Sequence, residues 1–400
     1  MNYKISIISG ILLAATLFTA CNNAKKPIIE NLVYFSDAST SKSKDITLEN
    51  GATTIANITV RLAKPLPTDV KVRLGVDEEL LKTYNKRNEA DLQLVKKENL
   101  TIPAETVIKA GAVSSTAVAI EIKSFETKGA QFAIPLTITS VEGNVKKSEV
   151  SSKIILNLVK PLSQSVPAFT SKNKMAALPL EDWNLQLMNY TLEWWCRVTL
   201  DGNSGGFTNN NQAVFDSGSS TTEMYIRFGD LIYAQGYTYL NNFLQVKTMG
   251  SQFDTGNPVK GFGLTGGVWI HFALTYDGTS GTSLLYKDGK QVATLNTGGG
   301  RPMIINHFDM ISSGSYFRNV CEMCQVRLWK VTRTAGQIQK CMYTEVKYND
   351  PDLELYLPMN EESGSLLKDV TGNGHNVTIG NKSGAANKDQ VTRKKYNFKK

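Results

Sequence analysis

The chain has 400 residues and a formal net charge of +8, and it is rich in Gly, Thr, Ser and Asn, with few amphipathic helical stretches. That is room for two or three domains with real cores, and the composition is that of an all-β protein. After the first twenty residues no stretch is long and apolar enough to span a bilayer as a helix.

The N-terminus reads as an export signal. Lys4 precedes an apolar run from Ile5 to Phe18, too short and too early for a spanning helix. The run ends in Leu17-Phe-Thr-Ala-Cys21, which resembles the lipobox of bacterial lipoproteins, with Phe18 where that motif prefers an aliphatic residue. The resemblance implies a signal peptide over 1–20, a lipid on Cys21 and a tether over 21–28, holding the chain to a membrane through acyl chains. Asn22, where an aspartate would favour the inner membrane, points to the outer membrane, facing either the surface or the periplasm. An exported chain has little reason to meet nucleic acid.

From 29 to 161 short strands follow one another. Ile58, Val60 and Leu62 alternate with polar residues, and Val70–Leu74 repeats the pattern with its charges outward. Asp77–Arg87 is a helical candidate, with Leu80, Leu81 and Tyr84 at helical spacing and Asp77 near a capping position. Strands are expected again at 118–122, 132–138 and 153–159, a pattern that suggests an immunoglobulin-like sandwich. Val33-Tyr-Phe35, Asp69–Leu74, Tyr84-Asn85, Val107–Gly111 and Phe132–Leu136 make the segment similar to the Bacteroidota family called domain of unknown function 1735. That resemblance implies a spacer or accessory module of glycan-utilisation systems and brings no catalytic residues.

Residues 162–167 read as a linker. A second domain then spans 168–380, with strands at Tyr190–Val198, Trp269–Asp277, Val326–Trp329, Leu353–Leu357 and Val377–Ile379. Leu284–Ala293 reads as a hairpin turning on Asp288-Gly289. These segments, with the turn Asp369–Gly374, resemble the concanavalin A-like, laminin G-type jelly roll. The last stretch, 381–400, carries Arg393, Lys394, Lys395, Lys399 and Lys400 and reads as a frayed basic tail.

Catalytic motifs are sought with little return. The ExDxxE spacing that places carboxylates on one side of a strand in some jelly-roll glycosidases is absent. Gly202-Asn-Ser-Gly-Gly206 satisfies GxSxG, but an Asn-rich loop follows it where a nucleophile elbow needs a helix. Cys321-Glu-Met-Cys324 spells CxxC; inside one strand the two thiols would face opposite sides. With Cys196 and Cys341 they are read as buried free thiols, pairing among different members being the alternative. The expectation is therefore no enzyme.

Binding chemistry is easier to place. Tyr233, Tyr237, Tyr239 and Tyr316 lie among amide-bearing residues, the composition of a sugar platform, although strand aromatics also pack inward. Laminin G-type domains often bind calcium through loop oxygens; Asp369 and Asn373 could supply them, or could merely cap a turn. The sequence thus suggests a lipid-anchored, non-catalytic binder of a glycan. Protein binding, as an adhesin or an accessory of an outer-membrane uptake complex, is the alternative, and a glycosidase with dispersed carboxylates is the third.

Overall fold

A computed structural model describes residues 30–180, 183–203, 205–218, 220–380 and 391–398. The signal peptide, Cys21 with its tether, and Ser204 of the GxSxG motif lie outside the described residues.

The N-terminal part is a β-sandwich. One sheet orders its strands Ser43–Thr47, Lys153–Val159, Phe132–Glu142, Val70–Val76 and Glu105–Ile108, with Gln93–Leu94 also pairing Phe132–Glu142. Thr54–Ile58 and Val60–Leu62 share one apolar alternation, yet they join two different small sheets, with Val118–Ile122 and Leu32–Phe35 respectively. Ile58, Val60, Leu62, Val72, Ile120, Ile134 and Leu156 close the core between the layers. Burial of these side chains stabilises the sandwich by about 1.5–3 kcal/mol each. The expected helix is α1, Glu78–Asn88. Its first turn is capped by Asp77, whose Oδ1 accepts from the Leu80 amide at 3.0 Å, and Leu81 packs against Ala133 and Ile155.

The C-terminal part stacks two large sheets. The first runs Lys290–Asn296, Thr282–Lys287, Ile270–Asp277, Asn189–Thr199, Val320–Trp329, Ser163–Phe169 and Thr392–Asn397, with Leu353–Leu357 also on Val320–Trp329. The second runs Ser251–Asp254, Leu244–Thr248, Met224–Phe228, Gln212–Ser217, Asp309–Met310, Met175–Ala177, Val377–Ile379 and Leu366–Leu367. Between them Leu192, Trp194, Phe215, Ile226, Phe228 and Phe272 form one apolar layer, as the alternation along each strand requires. The hairpin turns on Asp288 and Gly289 with positive φ at both, 50° and 72°, as expected.

Two expectations are corrected. Residues 162–167 are no linker: Ser163–Phe169 is a strand, in register with Thr392–Asn397 over six pairs. Its polar start resembles a linker because Gln164 is a buried amide, donating to the Pro358 carbonyl at 2.7 Å and accepting from Gln325 at 2.7 Å. Nor is the tail frayed where it is described. Thr392–Asn397 is an edge strand whose lysines suit a solvent-facing edge, and Phe398 lies 5.3 Å from the Trp195 ring and 4.9 Å from Trp269. The second domain therefore begins before residue 168 and continues past 380.

A second helix, α2 (Ala335–Cys341), has no counterpart in the sequence expectation. A capping box starts it, with Thr334 and Gln337 each serving the other's backbone amide. It covers the outer side of the first sheet, where Ile338 packs on Ala273 and Tyr286. Beneath that cover lies a buried ionic group. Glu193 accepts from the Trp329 indole at 2.6 Å and stands 3.6 Å from both Arg333 and His271. Burial, reinforced by Arg327 and Arg333, pushes the His271 imidazole down to about 3.

The two domains touch through both backbone and side chains. The Tyr348 amide donates to the Lys128 carbonyl at 3.1 Å, and Lys347 pairs with Asp91 at 2.9 Å. Gly129, at φ 72°, brings its Cα so close to Val346 that a Cβ would sit 1.7 Å from that carbonyl oxygen.

Candidate functional site

The outward side of the second sheet is polar, opposite in character to its inner side. On Met224–Phe228 the inner positions are Met224, Ile226 and Phe228, so Tyr225 and Arg227 point outward. Register places Gln245 beside Arg227, Lys247 beside Tyr225, and Asp254 beside Gln245. Asp216 lies across from Tyr225 and, on its other side, from Asp309.

Arg227 is the hub of this face. Its Nε donates to Gln245 at 2.8 Å, Nη1 to Asn211 at 2.9 Å, and Nη2 to Asp230 at 2.6 Å. Tyr225 donates to the same Asn211 oxygen at 2.8 Å, and Gln245 donates to Asp230 at 2.9 Å. Burial alone would raise the Asp230 carboxyl, but bonds from Gln245 and the Leu231 amide, with the Arg227 charge, hold it below its usual range. The result is a pre-set array of carbonyl, carboxylate and guanidinium groups that spend no rotamer freedom when a ligand arrives.

Three loops rim the array. Gln212 and Asn319 staple 208–212 to 314–319, with Gln212 donating to Asn319 at 2.7 Å and accepting from the Asn319 amide at 2.9 Å. Asn209 donates to the Tyr316 carbonyl at 3.0 Å, and Tyr316 itself is 53 % exposed. The Asn211 amide bonds to the Gly229 carbonyl and the Gly229 amide to that of Phe243, which ties this rim to the third loop, 230–243. There a two-residue ribbon pairs Ala234 with Tyr239; Tyr237 stands wholly in solvent and Tyr239 is 49 % exposed.

The four candidate tyrosines thus divide. Tyr237, Tyr239 and Tyr316 present rings to solvent around one end of the second sheet. Tyr233 does not: its ring packs edge-on to buried Phe243 at 4.9 Å, and its hydroxyl donates to Asp254 at 3.0 Å. Burial and that carboxylate push its pKa up to about 12. Tyr233 is a strut under the hairpin, held there by the Phe243 ring and the Asp254 carboxylate. Arg227, Tyr225, Asn211, Asp230, Gln245 and Asp254 escaped the sequence expectation. The usable signal was the alternation of Met224–Phe228 and Leu244–Thr248, whose outward positions are all polar.

The calcium expectation is corrected. Asp369 Oδ1 accepts from the Tyr356 and Thr371 amides at 3.1 Å each, Oδ2 from the His375 amide at 3.1 Å, and both accept from the Thr371 hydroxyl at 2.8 Å. Asn373 turns its amide nitrogen to the Glu354 carbonyl at 2.8 Å. The carboxylate is saturated by donors that hold the turn, which leaves it no role as a cation ligand. Among the described residues no group of three or more His, Cys, Asp or Glu side chains could hold a metal.

Other motifs fall to structure. Cys321 and Cys324 both lie in Val320–Trp329, in register with Val198 and Trp195, hence on opposite sides; with Cys196 and Cys341 they are free thiols. Asp216 and Asp309 are cross-strand neighbours: burial raises the first, while Lys174 sits 2.9 Å from the second. That is the facing carboxylate pair on this sheet.

Comparison with known proteins agrees with this architecture. Residues 171–339 match the family model described as the concanavalin A-like lectin/glucanases superfamily, of laminin G type, and residues 29–145 match a model of an N-terminal domain family. A candidate carbohydrate-binding protein from Bacteroides ovatus superposes with a TM-score of 0.62 at 20 % identity, covering 91 % of this chain and 97 % of its own. A pentraxin from Limulus polyphemus covers 55 % of this chain and 95 % of its own, at 12 % identity and a TM-score of 0.35. Comparison with curated proteins gives no match. The chain therefore joins an N-terminal β-sandwich to a C-terminal domain of the concanavalin A-like lectin/glucanases superfamily.

Proposed function

We propose that this chain is a lipid-anchored, non-catalytic binding protein that takes a carbohydrate on the outward side of its second jelly-roll sheet. The observation that carries this is the Arg227 array, with its exposed tyrosines. Sugar recognition needs fixed polar groups that read hydroxyls and a ring that meets the apolar side of a pyranose. Asn211 and Asp230, held in place by Arg227 and the buried Gln245, supply the first, and Tyr316, Tyr237 and Tyr239 the second. The similarity of fold to a candidate carbohydrate-binding protein is in keeping with this. The lipobox-like Cys21 would fix the chain to the outer membrane, with the N-terminal sandwich as spacer.

The test is a glycan array probed with the chain beginning after Cys21, beside Arg227→Ala and Tyr316→Ala, with reducing ends assayed in parallel. Selective binding lost in both variants supports the reading. Binding that survives Arg227→Ala removes the array from the site, and release of reducing ends dependent on Asp216 and Asp309 would make the chain a glycosidase.

One observation favours a second reading, a protein partner. Leu231, Ile232, Val259 and Phe262 are each about half exposed, and their loops are joined by reciprocal bonds between Asn242 and Leu264. Apolar side chains gathered in this way mark contact surfaces. An empty glycan array with partner capture that is lost on Phe262→Ser would support this reading over the first.

A further inference from the structure

The sheet array runs directly into apolar surface. Asp230 Oδ1 accepts from the Leu231 amide at 2.7 Å, and the chain goes straight on into Leu231 and Ile232, 55 % and 46 % exposed. The neighbouring carboxylate leads to apolar surface in the same way. Asp254 stands beside Gln245 in register, and its Oδ1 accepts from the Gly256 amide at 2.7 Å. Gly256 has φ 105°, and a Cβ there would lie 2.8 Å from Cγ of Phe262. That backbone therefore supports one side of a ring that is 56 % exposed, with Val259 nearby in the chain at 52 %. Reciprocal bonds between Asn242 and Leu264 join the two loops.

Four half-exposed side chains of this size present on the order of 400 Å2, half of the ~800 Å2 that a stable protein interface covers on each partner. The area suits a single alkyl or aryl group. Apolar surface gathered beside fixed polar groups is also the pairing that an amphiphilic ligand needs.

We propose that the ligand of this site is a glycan bearing an apolar substituent, with its sugar on the array of Asn211 and Asp230 and its substituent over Leu231, Ile232, Val259 and Phe262. This rests on the carbohydrate reading above and adds the chemical class of the sugar's substituent. A bare glycan leaves the four side chains in water. A substituted one covers them, and each methylene that it buries strengthens binding about two- to fourfold.

The experiment is isothermal titration of the chain beginning after Cys21 with methyl and hexyl glycosides of glucose, galactose, mannose and N-acetylglucosamine, all below micellar concentration. Hexyl triethylene glycol ether is the sugar-free control. At least one hexyl glycoside should bind about tenfold more tightly than its methyl counterpart, and the ether should not bind. Phe262→Ser and, on the other loop, Leu231→Ser should each reduce that gain about threefold. Equal affinity for methyl and hexyl glycosides would overturn the proposal and leave the carbohydrate reading standing, as would a gain undiminished in both variants. The ether binding as tightly as the hexyl glycosides would also overturn it, and would assign the surface to a protein partner instead. A panel in which nothing binds overturns it as well, and the glycan array then decides separately whether the carbohydrate reading falls.

Discussion

Acid should loosen the jelly roll through one imidazole. His271 lies inside the cover formed by α2, with its pKa down at about 3, whereas an unfolded histidine titrates near 6.5. The depressed value means that the unfolded chain binds a proton the folded chain refuses. The stability it contributes is therefore fully present above pH 6.5 and is lost as pH falls toward 3. Between pH 7 and pH 5 the loss is ~2 kcal/mol, from 1.36 kcal/mol per pKa unit of separation. His271→Gln keeps a polar side chain of similar size and removes the titration. All five tryptophans, 183 to 329, belong to the second domain, so their fluorescence in a urea titration reports that domain without the first. The difference in unfolding free energy between parent and variant should shift by ~2 kcal/mol from pH 7 to pH 5, other groups cancelling in the subtraction. Parallel pH curves for the two proteins would refute the buried neutral imidazole.

Other expectations are simpler to check. Calcium and chelator should leave the melting temperature unchanged, while Asp369→Ala, by freeing the amides of Tyr356, Thr371 and His375, should destabilise the domain by about 1–3 kcal/mol in chemical denaturation. Asp77→Ala should cost about 1 kcal/mol by uncapping α1, read as a lower denaturation midpoint for the N-terminal sandwich by far-ultraviolet dichroism. Gly129→Ala cannot keep its contact with the Val346 carbonyl; it should speed exchange at 128–131 and 346–348 while leaving core strands such as Phe132–Ile138 and Ile270–Asp277 protected. Unchanged protection at the seam would mean that the domains are not docked through this contact.

Much of the fold was legible in the chain. Strands at 118–122, 153–159, 353–357 and 377–379 occur as expected, because apolar alternation is a local property written into consecutive residues. The Asp77 cap and the Asp288-Gly289 turn are equally local. α2 was not read from the sequence: Thr334 and Gln337 stand at capping-box spacing, but its seven residues carry too little periodicity to stand out.

What alternation alone decided was which side of each strand is apolar, and so the all-β sandwiches and the inward turn of residues such as Trp194; the jelly roll entered as a resemblance carried by particular segments in their order. Only the tertiary structure decided what the polar residues do. Gln164 and the basic tail looked solvated, and each became strand when a remote segment supplied its hydrogen bonds. Arg227 gained its meaning from Asn211, Asp230 and Gln245, which three separate elements bring to it. Asp369 lost its calcium role to the amides of Tyr356, Thr371 and His375. An apolar side chain needs only to leave water, which sequence periodicity predicts; a polar one needs a particular partner at a particular distance, and that is settled only when the chain has folded.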